Sequence, residues 1–154
     1  MRVILYQPRI PQNAGNILRT CKAAGAQLAV VPPLGFNLSH NCLRRSHLDY
    51  GDREDFLIIE DLETHLQQEP TSFALLSSKV STPYTECPYT EDHTLIFGSE
   101  TDGFPPHFFT QYKEHIYTIP MTDQTRCLNL ATSVGIVLYE AVRQTGLLSP
   151  TASK

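Results

Sequence analysis

The sequence predicts an α/β fold, a mostly parallel sheet with helices on both faces. Three observations carry this. Six short runs rich in β-branched, aromatic and aliphatic residues alternate with helix-period patterns. The runs are near-continuously apolar rather than alternating, as strands covered on both faces require. The connections between them are proline- and glycine-punctuated and short, with no linker long enough to separate domains, no internal repeat and no low-complexity tract. Residues 1–148 therefore read as one domain, and 149–154 as a frayed tail.

Taken in order, Val3–Tyr6 is the first strand, and Gln7-Pro8 ends it. A helix follows Pro11-Gln12, with Asn13 as the expected N-cap and Ile17, Leu18, Cys21 and Ala24 on its apolar side. Gly25 stops it, and Asn16 and Arg19 share the opposite face. Gln27–Val31 is the second strand, leading to Pro32-Pro33-Leu34-Gly35. Phe56–Ile59 and Phe73–Leu76 are the third and fourth, and a proline-rich connection spans Pro83 to Pro88. Thr94–Phe97 is the fifth and runs into a glycine loop ending at Gly103-Phe104-Pro105-Pro106. Ile116–Ile119 is the sixth. The last helix covers Asn129 to Thr145 and ends at Gly146, with Leu130, Val134, Val137, Leu138 and Ala141 as its apolar stripe.

At 154 residues and 41% hydrophobic content the chain can bury a sizeable core. Its apolar stretches, such as Leu28–Val31 and Leu57–Ile59, are far too short to span a bilayer. The N-terminus carries no apolar h-region. These features predict a soluble, cytoplasmic protein with no membrane association. Cys21, Cys42, Cys87 and Cys127 are scattered without a C-x-x-C pair, and the 6 histidines show no metal-ligand spacing, so reduced thiols and no metal are expected. The net charge of −4 is uneven. Residues 1–53 hold Arg2, Arg9, Arg19, Lys22, Arg44, Arg45 and Arg53 against Asp49 and Asp52, a net +5, which leaves −9 elsewhere. Polyanion binding depends on local potential, so this third of the chain is either a nucleic-acid face or an ordinary solvated surface.

Three segments hold more polar or glycine-rich character than a fold alone needs, and each follows an expected strand, where open α/β sheets bind ligands. Asn13 to Arg19 opens a helix whose unpaired N–H groups suit phosphate, with a capped helix as the plain alternative. Gly98-Ser99-Glu100-Thr101-Asp102-Gly103 allows close backbone approach to a ligand. It is neither G-x-G-x-x-G nor a P-loop, and a strand-end turn is the alternative. Its Glu100 carboxylate suits a hydroxyl, an amine or the N–H groups of another loop. Ile119-Pro120-Met121 through Thr125-Arg126-Cys127-Leu128-Asn129 feeds the last helix, where Asn129 also fits a simple cap. No G-x-S-x-G elbow or acyl-transfer pair is present.

Together and in order, these segments resemble the three signature motifs of the SPOUT methyltransferases. Motif one is matched by Tyr6-Gln7-Pro8, Ile10-Pro11-Gln12-Asn13, Gly15-Asn16-Ile17 and Arg19. Motif two is matched by Phe97-Gly98, Glu100 and Gly103, and motif three by Ile119-Pro120-Met121, Leu128-Asn129-Leu130, Ser133-Val134 and Tyr139-Glu140. The likeness continues through Pro33-Leu34-Gly35-Phe36 and Leu43-Arg44-Arg45-Ser46, with Leu48-Asp49-Tyr50. It is greatest to the minimal tRNA (cytidine(34)-2′-O)-methyltransferases, which lack an added RNA-binding domain. The resemblance implies a C-terminal deep trefoil knot, a homodimer through the first and last helices, and a tRNA anticodon stem-loop substrate methylated on the ribose of cytidine or uridine 34. Methylation of another tRNA or rRNA ribose, or a non-catalytic RNA-binding role, are the alternatives.

The cofactor so implied is S-adenosyl-L-methionine, with S-adenosyl-L-homocysteine as product. It would be held around Leu75, Leu76, Gly98, Glu100, Gly103, Ile119, Met121, Cys127 and Leu128. Arg19, Asn16, Asn129 and Tyr139 are the implied catalytic set, and Arg19, Arg44, Arg45 and Arg126 the implied RNA contacts. Arg19 stays protonated in proteins, so it is expected to bind a phosphate and lower the pKa of the hydroxyl rather than act as a base. This sequence departs from the subgroup at Asp102, where a basic or neutral residue is usual, and at Cys127, where serine is common.

Overall fold

β1 (Arg2–Tyr6) lies inside a six-stranded sheet of order β3-β2-β1-β5-β4-β6, in which every pairing is parallel. The computed structural model describes residues 1–38, 55–68 and 72–148. The other strands are β2 (Gln27–Val31), β3 (Phe56–Ile58), β4 (Phe73–Leu76), β5 (Thr94–Phe97) and β6 (Ile116–Tyr117). The helices are α1 (Pro11–Ala24), α2 (Leu62–Gln68), α3 (Phe108–Gln111) and α4 (Leu130–Thr145). The expected α/β architecture and both long helices are therefore present.

Successive strand residues point to opposite faces, and both faces are covered. Val3, Leu5, Leu28, Val30, Leu95 and Phe97 pack with Ile17, Leu18 and Cys21 of α1 and with Val134, Val137 and Leu138 of α4. Ile4, Ala29, Leu75 and Ile96 pack with Leu62 and Leu66 of α2 and Phe108 of α3 on the other face. Burying one such aliphatic side chain stabilises by roughly 1.5–3 kcal/mol. A good N-cap contributes about 1 kcal/mol. Packing therefore fixes α1, although its N-cap, Ile10, makes no side-chain cap bond.

That cap corrects one expectation. Asn13 is not the N-cap but stands in the first turn, because Pro11, with its fixed φ and missing N–H, starts the helix three residues earlier than expected. Asn13 is buried, at 5% exposure, and its side chain is used elsewhere. Asn129 does cap α4, its Oδ1 accepting from Ala131 N–H at 2.9 Å and Thr132 N–H at 3.2 Å. Gly25 and Gly146 both end their helices in the left-handed region, at φ 66° and 68°.

Two strands are shorter than expected. Ile59 N–H still donates to Val30 C=O, but the strand ends at Ile58. β6 stops at Tyr117 because the next pairing changes partner. Thr118 N–H donates to Thr82 C=O and Tyr84 N–H to Thr118 C=O, so the chain runs beside residues 82–84 instead of β4. Among the described residues no helix is long and apolar enough to cross a membrane. Arg44, Arg45, Cys42, the motif around Leu43 to Tyr50 and the tail 149–154 lie outside the described residues.

Candidate active site

Because all strands run the same way, their carboxyl ends share one edge of the sheet. From β1 the order departs one way to β2 and β3, and the other way to β5, β4 and β6. The loops after β1 and β5 therefore separate at the switch point, where a crevice opens. A cavity of about 550 Å³ occupies it, within the roughly 300–1,000 Å³ range of small-molecule sites.

The floor is the turn after β5. Ser99 and Gly103 exchange backbone hydrogen bonds of 3.2 and 2.9 Å, closing residues 99–103 tightly. Gly103 has φ 68°. A Cβ on Gly98 would lie 2.7 Å from the carbonyl carbon of Gly103, so glycine alone allows the closure. Ser99 Oγ and Thr101 Oγ1 are 3.3 Å apart, and Thr101 Oγ1 donates to Asp102 Oδ2 at 2.8 Å.

This turn aims Glu100 at the start of α1. Its Oε2 accepts from Arg9 N–H at 2.8 Å, and its Oε1 from Ile10 N–H at 3.2 Å and Asn13 Nδ2 at 3.0 Å. A carboxylate at a helix N-terminus is favourable in the field of the helix, so Glu100 takes the place of the missing cap. Of the options open to Glu100, the N–H groups of another loop are what it binds. Asn13 Oδ1 in turn accepts from Asn129 Nδ2 at 2.9 Å, while Asn129 caps α4. One hydrogen-bonded chain thus ties the three polar segments together.

The apolar walls come from Leu76, Ile119, Leu128 and Leu130, and polar groups from Ser77, Ser78, Lys79, Thr118 and Ser133. Of the residues expected at a site, Leu76, Gly98, Glu100, Gly103, Ile119, Met121, Arg126, Cys127, Leu128 and Asn129 line this cavity. Leu75 is fully buried beneath it, facing α2 and α3. Asn16 and Arg19 stand exposed on α1, and Tyr139, at 46% exposure, on α4; none of the three lines the cavity of its own chain. The backbone C=O of Asn16 accepts from Thr20 Oγ1 at 3.0 Å. Sequence reasoning missed Asn13 as a link and Ser77-Ser78-Lys79 as a wall. The second had a usable signal, a polar run directly after a strand.

The strongly shifted titratable groups lie outside the cavity. Burial pushes the Cys21 thiol up to about 12 and Cys87 up to about 11, so both are inert packing thiols. Burial also holds His93 down to about 4, and its Nε2 sits 3.6 Å from Cys87 Sγ. Cys127 is the exposed thiol among the described residues. No group of His, Cys, Asp and Glu suited to a metal occurs among the described residues.

The model of the SpoU rRNA Methylase family matches residues 1–139. A relative from Methylovorus glucosotrophus, named tRNA (cytidine(34)-2′-O)-methyltransferase, is 37% identical over 150 residues, spanning 92% of this chain and 94% of that protein. A solved structure described as giving structural insights into the 2-OH methylation of C/U34 on tRNA superimposes with a TM-score of 0.81 at 37% identity. It covers 93% of this chain and 94% of its own. An AdoMet-bound rRNA methyltransferase from Sinorhizobium meliloti matches with a TM-score of 0.77 at 26% identity, over 96% of this chain and 57% of that one.

Proposed function

The chain belongs to the SpoU rRNA Methylase family, and on that premise we propose that it is a tRNA methyltransferase acting on the ribose 2′-hydroxyl of the wobble nucleotide, cytidine or uridine 34, with S-adenosylmethionine as methyl donor. One observation carries the reading. The three polar segments are joined by Glu100, Asn13 and Asn129 around one cavity, in a chain matching a relative named for this reaction over more than nine-tenths of its length.

The residues present fit the cofactor. Gly98 and Gly103 give backbone approach, and Leu76, Ile119 and Leu128 offer apolar walls for an adenosine. When bound, S-adenosylmethionine supplies an electrophilic methyl on sulfur. The protein then contributes mainly position and field. Arg19 holds a phosphate of the target nucleotide, keeps its own proton and stabilises charge developing on the ribose oxygen. Asn16 orients Arg19, and Asn129 and Tyr139 shape the nucleotide pocket. Arg44, Arg45 and Arg126 bind the RNA backbone, and the protein works in the cytoplasm.

Arg19, Asn16 and Tyr139 stand outside their own chain's cavity. This supports a homodimer in which the outward faces of α1 and α4 of one copy complete the site of the other. The bridge between Pro83 and Thr118, with the switch of partners after β6, supports a chain that passes beside the 77–93 connection before returning as α4, as a trefoil knot requires.

The test is methyl transfer from S-adenosylmethionine to unmodified and cell-extracted tRNA, with the product mapped by nuclease digestion and mass spectrometry. A 2′-O-methyl group at nucleotide 34 is expected. Transfer to another ribose would keep the reaction and overturn the position. No transfer despite bound cofactor would favour a non-catalytic RNA-binding role.

A further inference from the structure

Lys79 stands on the rim of the cavity, at the end of the polar run that follows β4. Its own N–H donates to Ser77 Oγ at 3.2 Å, which fixes the turn. Its ammonium lies over the ring of Phe109, 5.5 Å from the centroid, with Lys79 exposed and Phe109 half-buried. Arg126 is the other cation on the cavity lining. Among the described residues neither takes part in an ion pair, whereas Lys22 is paired with Asp55 and Arg143 with Glu140.

The acids of the lining are Glu100 and Asp102. Glu100 already accepts from three donors. Asp102 is exposed and accepts from Thr101. The rim thus presents two cations outside any ion pair against one exposed carboxylate, in a chain whose net charge is −4. A contact with a ring at an exposed site is weak, so it parks the lysine without consuming its charge. A nucleic-acid strand offers phosphates at every step across such a mouth.

Resting on the reading that the substrate is tRNA, we infer that Lys79 binds a backbone phosphate beside the target nucleotide and, with Arg126, positions the strand over the cavity. Lys79 is a positioning residue in this account and does not touch the reacting atoms. The ammonium stands over Phe109 on an exposed side chain, so the phosphate needs no opening of the fold.

Two variants separate charge from packing. Lys79→Met keeps an unbranched side chain and removes the charge, and Lys79→Arg keeps the charge. Each full-length variant is titrated with an anticodon stem-loop RNA at several salt concentrations, and separately with S-adenosylmethionine alone. Lys79→Met should bind the RNA several-fold more weakly, with the slope of log K against log salt shallower by about 0.7, the share of one single-strand phosphate. Lys79→Arg should match the parent, and cofactor affinity should be unchanged in both. An unaltered RNA affinity and slope in Lys79→Met overturns the inference. So does a loss confined to S-adenosylmethionine, which would make the ammonium a partner of the cofactor's carboxylate. If the parent protein neither binds nor methylates the RNA, the reading of function fails and takes this inference with it.

Discussion

Glu100 accepts three hydrogen bonds with two oxygens, and through them it anchors the glycine turn to the head of α1. Glu100→Gln keeps the shape but turns an amide donor toward N–H donors. Of the three donors Asn13 is the buried one, and a buried donor left without an acceptor costs about 1–3 kcal/mol, so urea denaturation should show a loss in that range, with activity falling alongside. Stability within a few tenths of the parent would contradict the capping role. Arg19 is the opposite case, exposed and outside the lining of its own chain's cavity. Arg19→Ala should abolish methyl transfer and leave S-adenosylmethionine affinity nearly intact, as read by calorimetry; loss of cofactor binding would refute its assignment. His93 gives a pH signature. Burial lowers its folded-state pKa from 6.5 to about 4, so the unfolded chain binds the proton more readily. Stability is full above pH 6.5 and falls as pH drops from 6.5 toward 4. His93→Asn should flatten the stability profile across that window, and an unchanged slope would assign the loss to other groups.

At the scale of elements, the strands inside the sheet were legible because burial on both faces makes them continuous apolar words, and α1 and α4 because their stripes extend over 14 and 16 residues; β3, at the edge, reads as apolar although Leu57 and Ile58 are exposed. α2 was not legible. It has 7 residues and buries Leu62 and Leu66 alone, too little for a period to declare itself. Its one local clue is Asp61, whose Oδ1 accepts from Thr64 N–H at 2.8 Å. Asn13 was misread for a different reason: the acceptor that serves the start of α1 comes from Glu100, 87 positions further along the chain. Asn129 has both a local role as cap and a distant one as donor to Asn13, and two substitutions divide them. Asn129→Ala should lose about 1–2 kcal/mol by removing the cap. Asn129→Asp keeps the cap and loses the donor. If the link matters to the site, Asn129→Asp should retain most helix stability by circular dichroism while methyl transfer drops. Equal activity in Asn129→Asp and the parent would reduce the link to packing.

For the whole molecule, the sequence revealed the glycine turn and the polar segment before α4, but not that three catalytic candidates would lie outside the cavity lining. Which exposed side chains line a cavity depends on how the elements pack, and that has no periodic signature in the sequence. A site shared between subunits should show complementation. Subunits carrying Arg19→Ala have an intact cavity, and subunits carrying Gly98→Ala have an intact Arg19 but a turn that a Cβ forces open. Each should be inactive alone. Co-expressed and purified as mixed dimers, they should recover a fraction of the parent's methyl transfer, since one of the two sites pairs a good cavity with a good arginine. Mixtures as silent as the separate variants, with mixed dimers verified by mass, would confine the site to one chain.

The bond from Asn129 to Asn13 joins residues 116 positions apart, and the bonds from Arg9 and Ile10 to Glu100 bridge 91 and 90. A growing polypeptide therefore makes the first strand and helix early, yet leaves the head of that helix waiting for a carboxylate from the turn after the fifth strand and then for an amide from the last loop. Closing such long loops is slow, so ligand competence should be the last property a nascent chain acquires. A fragment that ends just short of residue 129 carries every strand of the sheet but neither Asn129 nor α4, which makes cofactor capture a stricter gauge of completed folding than secondary structure.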